Sequence, residues 1–187
     1  MGGAGKTPVV QALISIISGA HVISKGYGRC LHTSVLVDPN SHIYQEVGDE
    51  PLLLATQAPT WVGPDRAFLA TCAVEKGAKA LILDDGFQDN SLHKNINLVV
   101  VDGQVGFGNE RVFPAGPLRE PLEEGLKRAT ALIIIGKDAH NLRERFSSQL
   151  PVTQGTVVPN ADDIKALQNK PLVAFAGIGR PKKFFDM

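Results

Sequence analysis

Short apolar runs rich in β-branched residues recur along the chain. The runs most typical of strands are HVIS at 21–24, APTWVG at 58–63, KALILDD at 79–85, INLVVVDG at 96–103, ATALIIIG at 129–136 and PLVAFAGIG at 171–179. Strands that are apolar on both faces belong to a sheet that helices cover on each side, and such sheets are mostly parallel. The pattern therefore predicts an α/β fold with a mostly parallel sheet.

Three stretches between these runs are predicted to be helices. PVVQALISIIS at 8–18 carries apolar residues at helical spacing, and PDRAFLATCAVEKG at 64–77 is amphipathic and ends in a glycine. Residues 138–148 are charged and predict a surface helix. The alternation of strands and helices favours a three-layer sandwich. With 187 residues and 43% hydrophobic content, we expect one domain over residues 1–187.

The composition narrows the possible classes of function. The 19 basic and 19 acidic residues balance, which argues against a nucleic-acid partner and against a polybasic membrane tail. Cys30 and Cys72 lack metal-ligand spacing and are too few for a disulfide scaffold, so we expect a reducing compartment. No run approaches the roughly 18 apolar residues of a membrane-spanning helix, and no signal peptide is visible.

The first residues are typical of a phosphate-binding loop. Its glycines let backbone N–H groups approach an anion, its lysine can reach the β- and γ-phosphates, and its threonine hydroxyl can bind Mg²⁺. The residues concerned are Gly2, Gly3, Ala4, Gly5, Lys6 and Thr7. The alternative is a glycine-rich, disordered N-terminus. Such a loop normally follows a strand. Because the given sequence begins at the loop, we expect a fold that lacks the strand before it.

A pair of acids strengthens the interpretation of the glycine-rich segment. Asp84 and Asp85 end the apolar run at 79–85 and precede Gly86. An apolar strand that ends in an acid is the usual partner of a phosphate loop, because its carboxylate holds Mg²⁺ or the water around it. The alternative is an ordinary junction of a strand and a turn. Together the two features favour phosphoryl transfer from ATP with Mg²⁺.

Two further segments offer acid–base and cationic groups. Asp49 and Glu50 stand before a predicted helix start at Pro51. They fit an ordinary helix N-terminus, and they equally fit a general base that takes a proton from an attacking hydroxyl. The segment SKGYGR at 24–29 places two cations in a flexible loop, which suits an anionic substrate or is a simple turn.

Several motifs occur in a fixed order from residue 2 to about residue 185. They are GGAGKTP, SKGYGR, VGDEPLLLA, DDGFQ, LVVVDG, FGNERVFPAGPLREPL and AFAGIGRPKKFF. The set resembles the tetraacyldisaccharide 4′-kinases, the lipid A 4′-kinases of Gram-negative bacteria. The resemblance implies a P-loop NTPase-like fold with ATP and Mg²⁺ as cofactors. It also implies transfer of the ATP γ-phosphate to the 4′-hydroxyl of a tetraacylated glucosamine disaccharide 1-phosphate in the membrane.

The resemblance also implies roles for the matching residues. Lys6 would be the phosphate-loop lysine, Thr7 would bind Mg²⁺, and Asp49 would be the catalytic acid–base with Glu50 in support. Asp84 and Asp85 would face the metal and the nucleotide.

The long segment at 103–125 and the loop at 24–29 would contribute as well. Arg119 and Glu120 would reach the phosphates and Mg²⁺, and Arg29 would be a supporting cation. Several cationic and Mg²⁺ contacts suit this reaction, because they neutralise charge on the transferring group.

The chain also departs from the family pattern. The family has an N-terminal hydrophobic helix that rests on the membrane, a strand into the phosphate loop, and further sheet and helix beyond FFDM. We therefore expect a member truncated at both ends, with weak or no kinase activity by itself. Arg180 stands where many members have His, and it is given no catalytic role. The substrate implies a peripheral enzyme at the cytoplasmic face of the inner membrane, and no protein partner is evident.

Two other functions fit part of the sequence. A GTPase-like switch or an assembly ATPase would explain the phosphate loop and the acid pair, but the guanine-reading motif N/T-K-x-D is absent, since GKD at 136–138 lacks the preceding residue and the spacer. A non-catalytic relic that binds nothing is the other alternative. No nucleophile elbow and no His pair at helical spacing is present.

Overall fold

A computed structural model of the chain describes residues 3–174 and Phe185. The chain divides into two compact units, one of residues 6–95 and one of residues 1–5 together with 96–187. The single domain expected over the whole chain stays a prediction. Gly2, Arg180 and most of the strand expected at 171–179 lie outside the described residues.

The unit of residues 6–95 is built on a sheet of four strands. They are β1 (Ala20–Ser24), β2 (Val35–Leu36), β3 (Thr60–Val62) and β4 (Ala80–Leu83). The order is β2-β3-β1-β4, in which β1 pairs parallel with β3 and β4 while β2 is antiparallel to β3. Because β1, β3 and β4 are parallel, their carboxyl ends lie at the same edge of the sheet.

Helices cover both faces of this sheet. They are α1 (Lys6–Ile16), α2 (Tyr44–Val47), α3 (Asp49–Ala55) and α4 (Arg66–Glu75). On one face, Val10 of α1 and Leu54 of α3 pack with Val22 of β1. On the other face, Leu69 of α4 packs with Ile23 of β1. Successive side chains of β1 thus enter opposite cores, as expected for a strand that is buried along its whole length.

The other unit contains a parallel sheet in the order β5-β6-β7. Its elements are β5 (Leu98–Asp102), α5 (Leu122–Arg128), β6 (Ala131–Ile135), α6 (Leu142–Phe146), β7 (Val152–Gly155) and α7 (Ala161–Leu167). A hydrophobic core packs this sheet against α6 and the residues that follow it. The core consists of Val101, Leu132, Ile134, Leu142, Phe146 and Leu150.

The long segment between β5 and α5 is an ordered loop. The Phe113 amide donates to the Leu118 carbonyl at 2.8 Å, and the Leu118 amide donates to the Arg111 carbonyl at 3.1 Å. The side-chain amide of Asn109 donates to the Ala115 carbonyl at 2.8 Å. These internal bonds hold the loop without a regular element of its own.

The predicted α/β fold with mostly parallel strands is confirmed. The helix expected at 138–148 is shorter and extends over Leu142–Phe146. Before it, the Asp138 carboxylate accepts from the amides of Leu142 and Arg143 at 2.9 and 3.0 Å. Residues 171–174 form no strand. Within the part of the chain that the structure describes, every helix is too short or too polar to span a membrane.

Candidate active site

The glycine-rich segment adopts a turn that leads directly into α1. Gly3 and Gly5 have φ angles of 95° and 90°, a region that residues with a side chain rarely adopt. A Cβ on Gly5 would also lie 3.1 Å from the side chain of Ile135. Ala4 is half-buried between the two glycines. The turn therefore depends on glycine, as a backbone that approaches an anion requires.

The first residues of α1 contact acids from two other elements. The Lys6 ammonium group lies 2.8 Å from Oδ1 of Asp85, just beyond β4. The Thr7 hydroxyl donates to Oε1 of Glu50, in the first turn of α3, at 3.3 Å. The start of α1, the start of α3 and the carboxyl end of β4 therefore meet at one place in this unit.

Asp84 is the buried member of the acid pair. It is 3% exposed, its amide donates to the Ile23 carbonyl at 2.9 Å, and its Oδ2 accepts from the Ser24 hydroxyl at 3.4 Å. Burial raises the pKa of Asp84, the charge of Asp85 raises it further, and the positive charge of Lys6 lowers it. Asp84 is thus a carboxylate whose charge Lys6 compensates only in part.

Asp49 and Glu50 form the first turn of α3. The helix begins at Asp49, two residues before the predicted start at Pro51, after Gly48 with a φ of 94°. Partial burial raises the pKa of Glu50, and the charges of Asp84 and Asp49 raise it further. Asp49 is exposed. An exposed carboxylate beside this group of acids has the access that a proton acceptor for a bound hydroxyl needs.

The oxygen donors of the group fit Mg²⁺. The Thr7 hydroxyl and the carboxylates of Asp84 and Asp85 are the hard oxygen ligands that this ion prefers. Burial raises the pKa of Asp84 and of Glu50, and neighbouring carboxylates raise both further; a bound cation would stabilise the ionised forms. Among the described residues, no three His, Cys, Asp or Glu side chains are arranged as a ready-made metal cage.

Arg29 is held within its own loop. Its Nε donates to the Lys25 carbonyl at 2.8 Å, and its Nη1 donates to the carbonyls of Leu31 and Thr33. The guanidinium group therefore closes the loop that follows β1. A supporting contact of Arg29 with an anionic substrate stays a prediction.

Arg119 and Glu120 belong to the unit that contains β5, β6 and β7. Arg119 is exposed, whereas Glu120 is half-buried and accepts a bond from Nη2 of Arg128. Their predicted contacts with the phosphates and with Mg²⁺ stay predictions.

The sequence reasoning missed Arg66, the first residue of α4. Arg66 is 4% exposed and donates to the backbone carbonyls of Asp84 and Asp85 and to the carboxylate of Asp89. A signal was present in the sequence, because a cation in the first turn of a helix opposes the helix dipole and calls for another explanation.

A glycine-rich turn that leads into a helix, with acids at the end of a neighbouring parallel strand, is typical of the phosphate-loop class of nucleotide-binding proteins. The comparisons with known proteins assign a family within that class. The model of the tetraacyldisaccharide-1-P 4′-kinase family matches residues 1–187. The chain belongs to this family, which confirms the resemblance read from its motifs.

Curated relatives and a solved structure agree with this assignment. The tetraacyldisaccharide 4′-kinase of Gluconobacter oxydans is 48% identical over 190 residues, which cover 100% of this chain and 58% of the relative. That of Rhodospirillum centenum is 49% identical, over 98% of this chain and 56% of the relative. A crystal structure of the "apo" form of LpxK from Aquifex aeolicus in complex with ATP is 31% identical. It has a TM-score of 0.68 and covers 82% of this chain and 50% of that one. The chain thus spans somewhat more than half the length of these relatives.

Proposed function

We propose that this chain carries the nucleotide-binding and phosphoryl-transfer residues of a lipid kinase. The reaction is transfer of the ATP γ-phosphate to the 4′-hydroxyl of a tetraacylated glucosamine disaccharide 1-phosphate. The observation that carries the proposal is the meeting of Lys6 with Asp85 and of Thr7 with Glu50, beside the buried Asp84. The names of the relatives and the ATP complex of the Aquifex protein support it.

The glycine-rich loop binds the phosphates in this proposal. The loop at residues 2–5 would offer its backbone amides to the phosphates, and Lys6 would exchange its contact with Asp85 for one with the β- and γ-phosphates. The Thr7 hydroxyl and the carboxylates of Asp84 and Asp85 would hold Mg²⁺, which would supply positive charge to the transferring group. The family resemblance assigns Glu120 to the same ion and Arg119 to the phosphates.

Asp49 acts as the general base. Its exposed carboxylate accepts the proton of the 4′-hydroxyl as that oxygen attacks the γ-phosphorus atom. The bond from this phosphorus atom to the β–γ bridging oxygen breaks, and ADP leaves. Glu50, with its raised pKa, supports the base from the next position of the same helical turn. Since an acylated disaccharide stays in the bilayer, the enzyme works as a peripheral protein at the cytoplasmic face of the inner membrane.

The test is an assay with radiolabelled ATP, Mg²⁺ and the tetraacylated disaccharide 1-phosphate in detergent micelles, combined with calorimetric measurement of ATP binding. We expect slow formation of the 4′-phosphorylated product. Lys6→Met should lose both binding and transfer, whereas Asp49→Asn should bind ATP with an affinity within about threefold of the original and lose transfer. Lys127→Met, which removes an exposed lysine paired with Glu124, is the matched control.

The outcomes separate the alternatives. ATP hydrolysis that the lipid does not stimulate would indicate another phosphate-loop ATPase. Absence of any ATP binding would indicate a non-catalytic relic. Full transfer by Asp49→Asn would contradict the role of Asp49 as the base.

A further inference from the structure

Arg66 connects the beginning and the end of the loop that carries the acid pair. Its Nη2 donates to the carbonyl of Asp84 at 2.8 Å and to that of Asp85 at 3.1 Å. Its Nη1 donates to Oδ2 of Asp89 at 2.9 Å. One planar guanidinium group thus contacts three acceptors within residues 84–89.

The burial of this guanidinium group calls for a reason beyond packing. The Arg66 side chain is 3% exposed, and its Nε is buried without a hydrogen-bond partner among the described residues. Burying a cation is costly unless it is paired and hydrogen-bonded. Among the described residues, the hydrogen bonds of this guanidinium group go to residues 84–89, so these bonds compensate for its burial.

The two carbonyls converge on one nitrogen because of an uncommon backbone conformation. Asp85 has a φ of 51°, in the left-handed region, which is unfavourable for a residue with a side chain. Aspartate tolerates this region better than most residues. The turn directs the Asp84 carboxylate to the Ser24 hydroxyl and the Asp85 carboxylate to Lys6.

Asp89 in turn holds Arg66. Its carboxylate also accepts from the amide of Ser91 at 2.9 Å and from the Ser91 hydroxyl, and the Lys25 ammonium group lies 3.6 Å away. The guanidinium group is therefore fixed at Nη1 by Asp89 and at Nη2 by the two carbonyls. A planar group held at both nitrogens defines the orientation of the turn, whereas a single flexible cation does not.

We propose that Arg66 is a positioning residue: it fixes the left-handed turn at Asp85, so that both carboxylates of the pair point in their observed directions before nucleotide binds. The inference rests on the proposed function, in which Asp84 and Asp85 bind Mg²⁺ together with ATP. Among the described residues, the Arg66 side chain donates its hydrogen bonds to two backbone carbonyls and to Asp89. Because Arg66 orders the acid pair beforehand, the binding of Mg²⁺ and ATP does not incur the entropic cost of ordering it.

The first experiment measures ATP affinity by calorimetry, once with Mg²⁺ and once with EDTA, for the original chain and for Arg66→Lys. Lysine keeps the charge but cannot bridge all three acceptors. We expect the ATP affinity of Arg66→Lys in EDTA to stay within about twofold of that of the original chain. The factor by which Mg²⁺ raises ATP affinity should be about tenfold smaller in the variant. Arg145→Lys, at a two-bond pair with Glu110 in the other unit, is the matched control and should change neither value.

A purely structural role predicts a different result. Both affinities would then fall together with thermal stability, or neither would change, and either result overturns the proposal.

The second experiment needs no nucleotide and separates this inference from the proposed function. Hydrogen exchange is measured at the amides of Asp84 and Asp89, which donate to the Ile23 and Gly86 carbonyls at 2.9 and 3.0 Å. In Arg66→Lys we expect about tenfold faster exchange at these two amides, without the same change across β1. Unchanged exchange overturns the role of Arg66. Absence of ATP binding by the original chain, combined with the expected exchange, contradicts the proposed function and leaves the positioning role supported.

Discussion

The ammonium group of Lys6 lies 2.8 Å from Oδ1 of Asp85, which joins the first residue of α1 to the turn after β4. The two side chains are 33% and 41% exposed. Ion pairs with this degree of exposure stabilise a fold by only about 0–1 kcal/mol. Lys6 can therefore leave Asp85 for a phosphate at little cost in stability.

The first prediction separates the role of Lys6 in binding from its role in folding. Lys6→Met should lower ATP affinity at least tenfold while changing the free energy of unfolding by about 1 kcal/mol or less. Calorimetry and urea denaturation measure the two quantities. Lys127→Met removes a comparable exposed pair, with Glu124 at 2.7 Å, and should leave ATP affinity unchanged. Equal affinity in the two variants would show that Lys6 does not contact the nucleotide.

The strands that could be predicted from the sequence are those whose own apolar, β-branched residues favour an extended conformation. The run at 129–136 gave β6 and the run at 96–103 gave β5, because continuous β-branched residues suit only a strand buried on both faces. β7 (Val152–Gly155) escaped prediction because VTQG carries one strongly apolar residue. Its conformation comes from pairing with β6, which no local pattern reveals.

The residues of the candidate site also divide into those that local motifs predict and those whose position only the fold determines. Lys6, Thr7 and the pair of Asp84 and Asp85 stand in motifs whose spacing indicates phosphate chemistry, and the structure brings them into one unit. Arg66 stands in no such motif. Its position depends on where the first turn of α4 lies relative to the end of β4, and that is set by the order of the strands in the sheet.

The second prediction concerns the dependence of stability on pH. Hydrogen bonds from the Ser91 side chain and backbone, and then the Arg66 guanidinium, hold the pKa of Asp89 well below its ordinary range. A carboxyl group with a lowered pKa stabilises the fold above its unfolded pKa of about 4. That contribution is lost as the pH falls toward the folded pKa. Asp89→Asn should therefore cost about 2 kcal/mol at pH 7 and progressively less below about pH 4.

Urea denaturation between pH 7 and pH 2.5 measures this difference. Glu75→Gln neutralises an exposed carboxylate at the end of α4 and serves as the control. Its difference from the original chain should stay small at every pH. A cost of Asp89→Asn that is the same at pH 7 and at pH 3 would contradict the stabilising role of the ionised carboxylate.

The third prediction concerns the loop that Arg29 closes. Arg29→Met removes three donated bonds, to the carbonyls of Lys25, Leu31 and Thr33, and should destabilise the protein by about 1–3 kcal/mol. Amide exchange at Cys30 and Leu31 should become faster, because their bonds to the Gln45 and Glu46 carbonyls depend on the closed loop.

Lys25→Met tests whether the effect comes from the guanidinium group or from loss of any positive charge in this loop. The Lys25 side chain is 60% exposed and its ammonium group lies 3.6 Å from the Asp89 carboxylate, so its replacement should leave exchange at Cys30 and Leu31 nearly unchanged. Protection that survives in Arg29→Met would contradict the role of Arg29 in closing the loop.

The last prediction compares two glycines of the same loop. Gly26 and Gly28 have φ angles of 65° and 76°, so alanine at either position costs about 1–2 kcal/mol in backbone strain. At Gly26 the added Cβ would also lie 2.6 Å from the Val47 carbonyl oxygen and from a methyl group of Val62, whereas at Gly28 nothing lies within 4 Å. Gly26→Ala should therefore cost about 1–3 kcal/mol more than Gly28→Ala, because a backbone oxygen and a core valine must shift. Urea denaturation of the two variants measures the difference. Because strain is common to both, equal costs would mean that the loop after β1 does not pack against α2 and β3 as the structure describes.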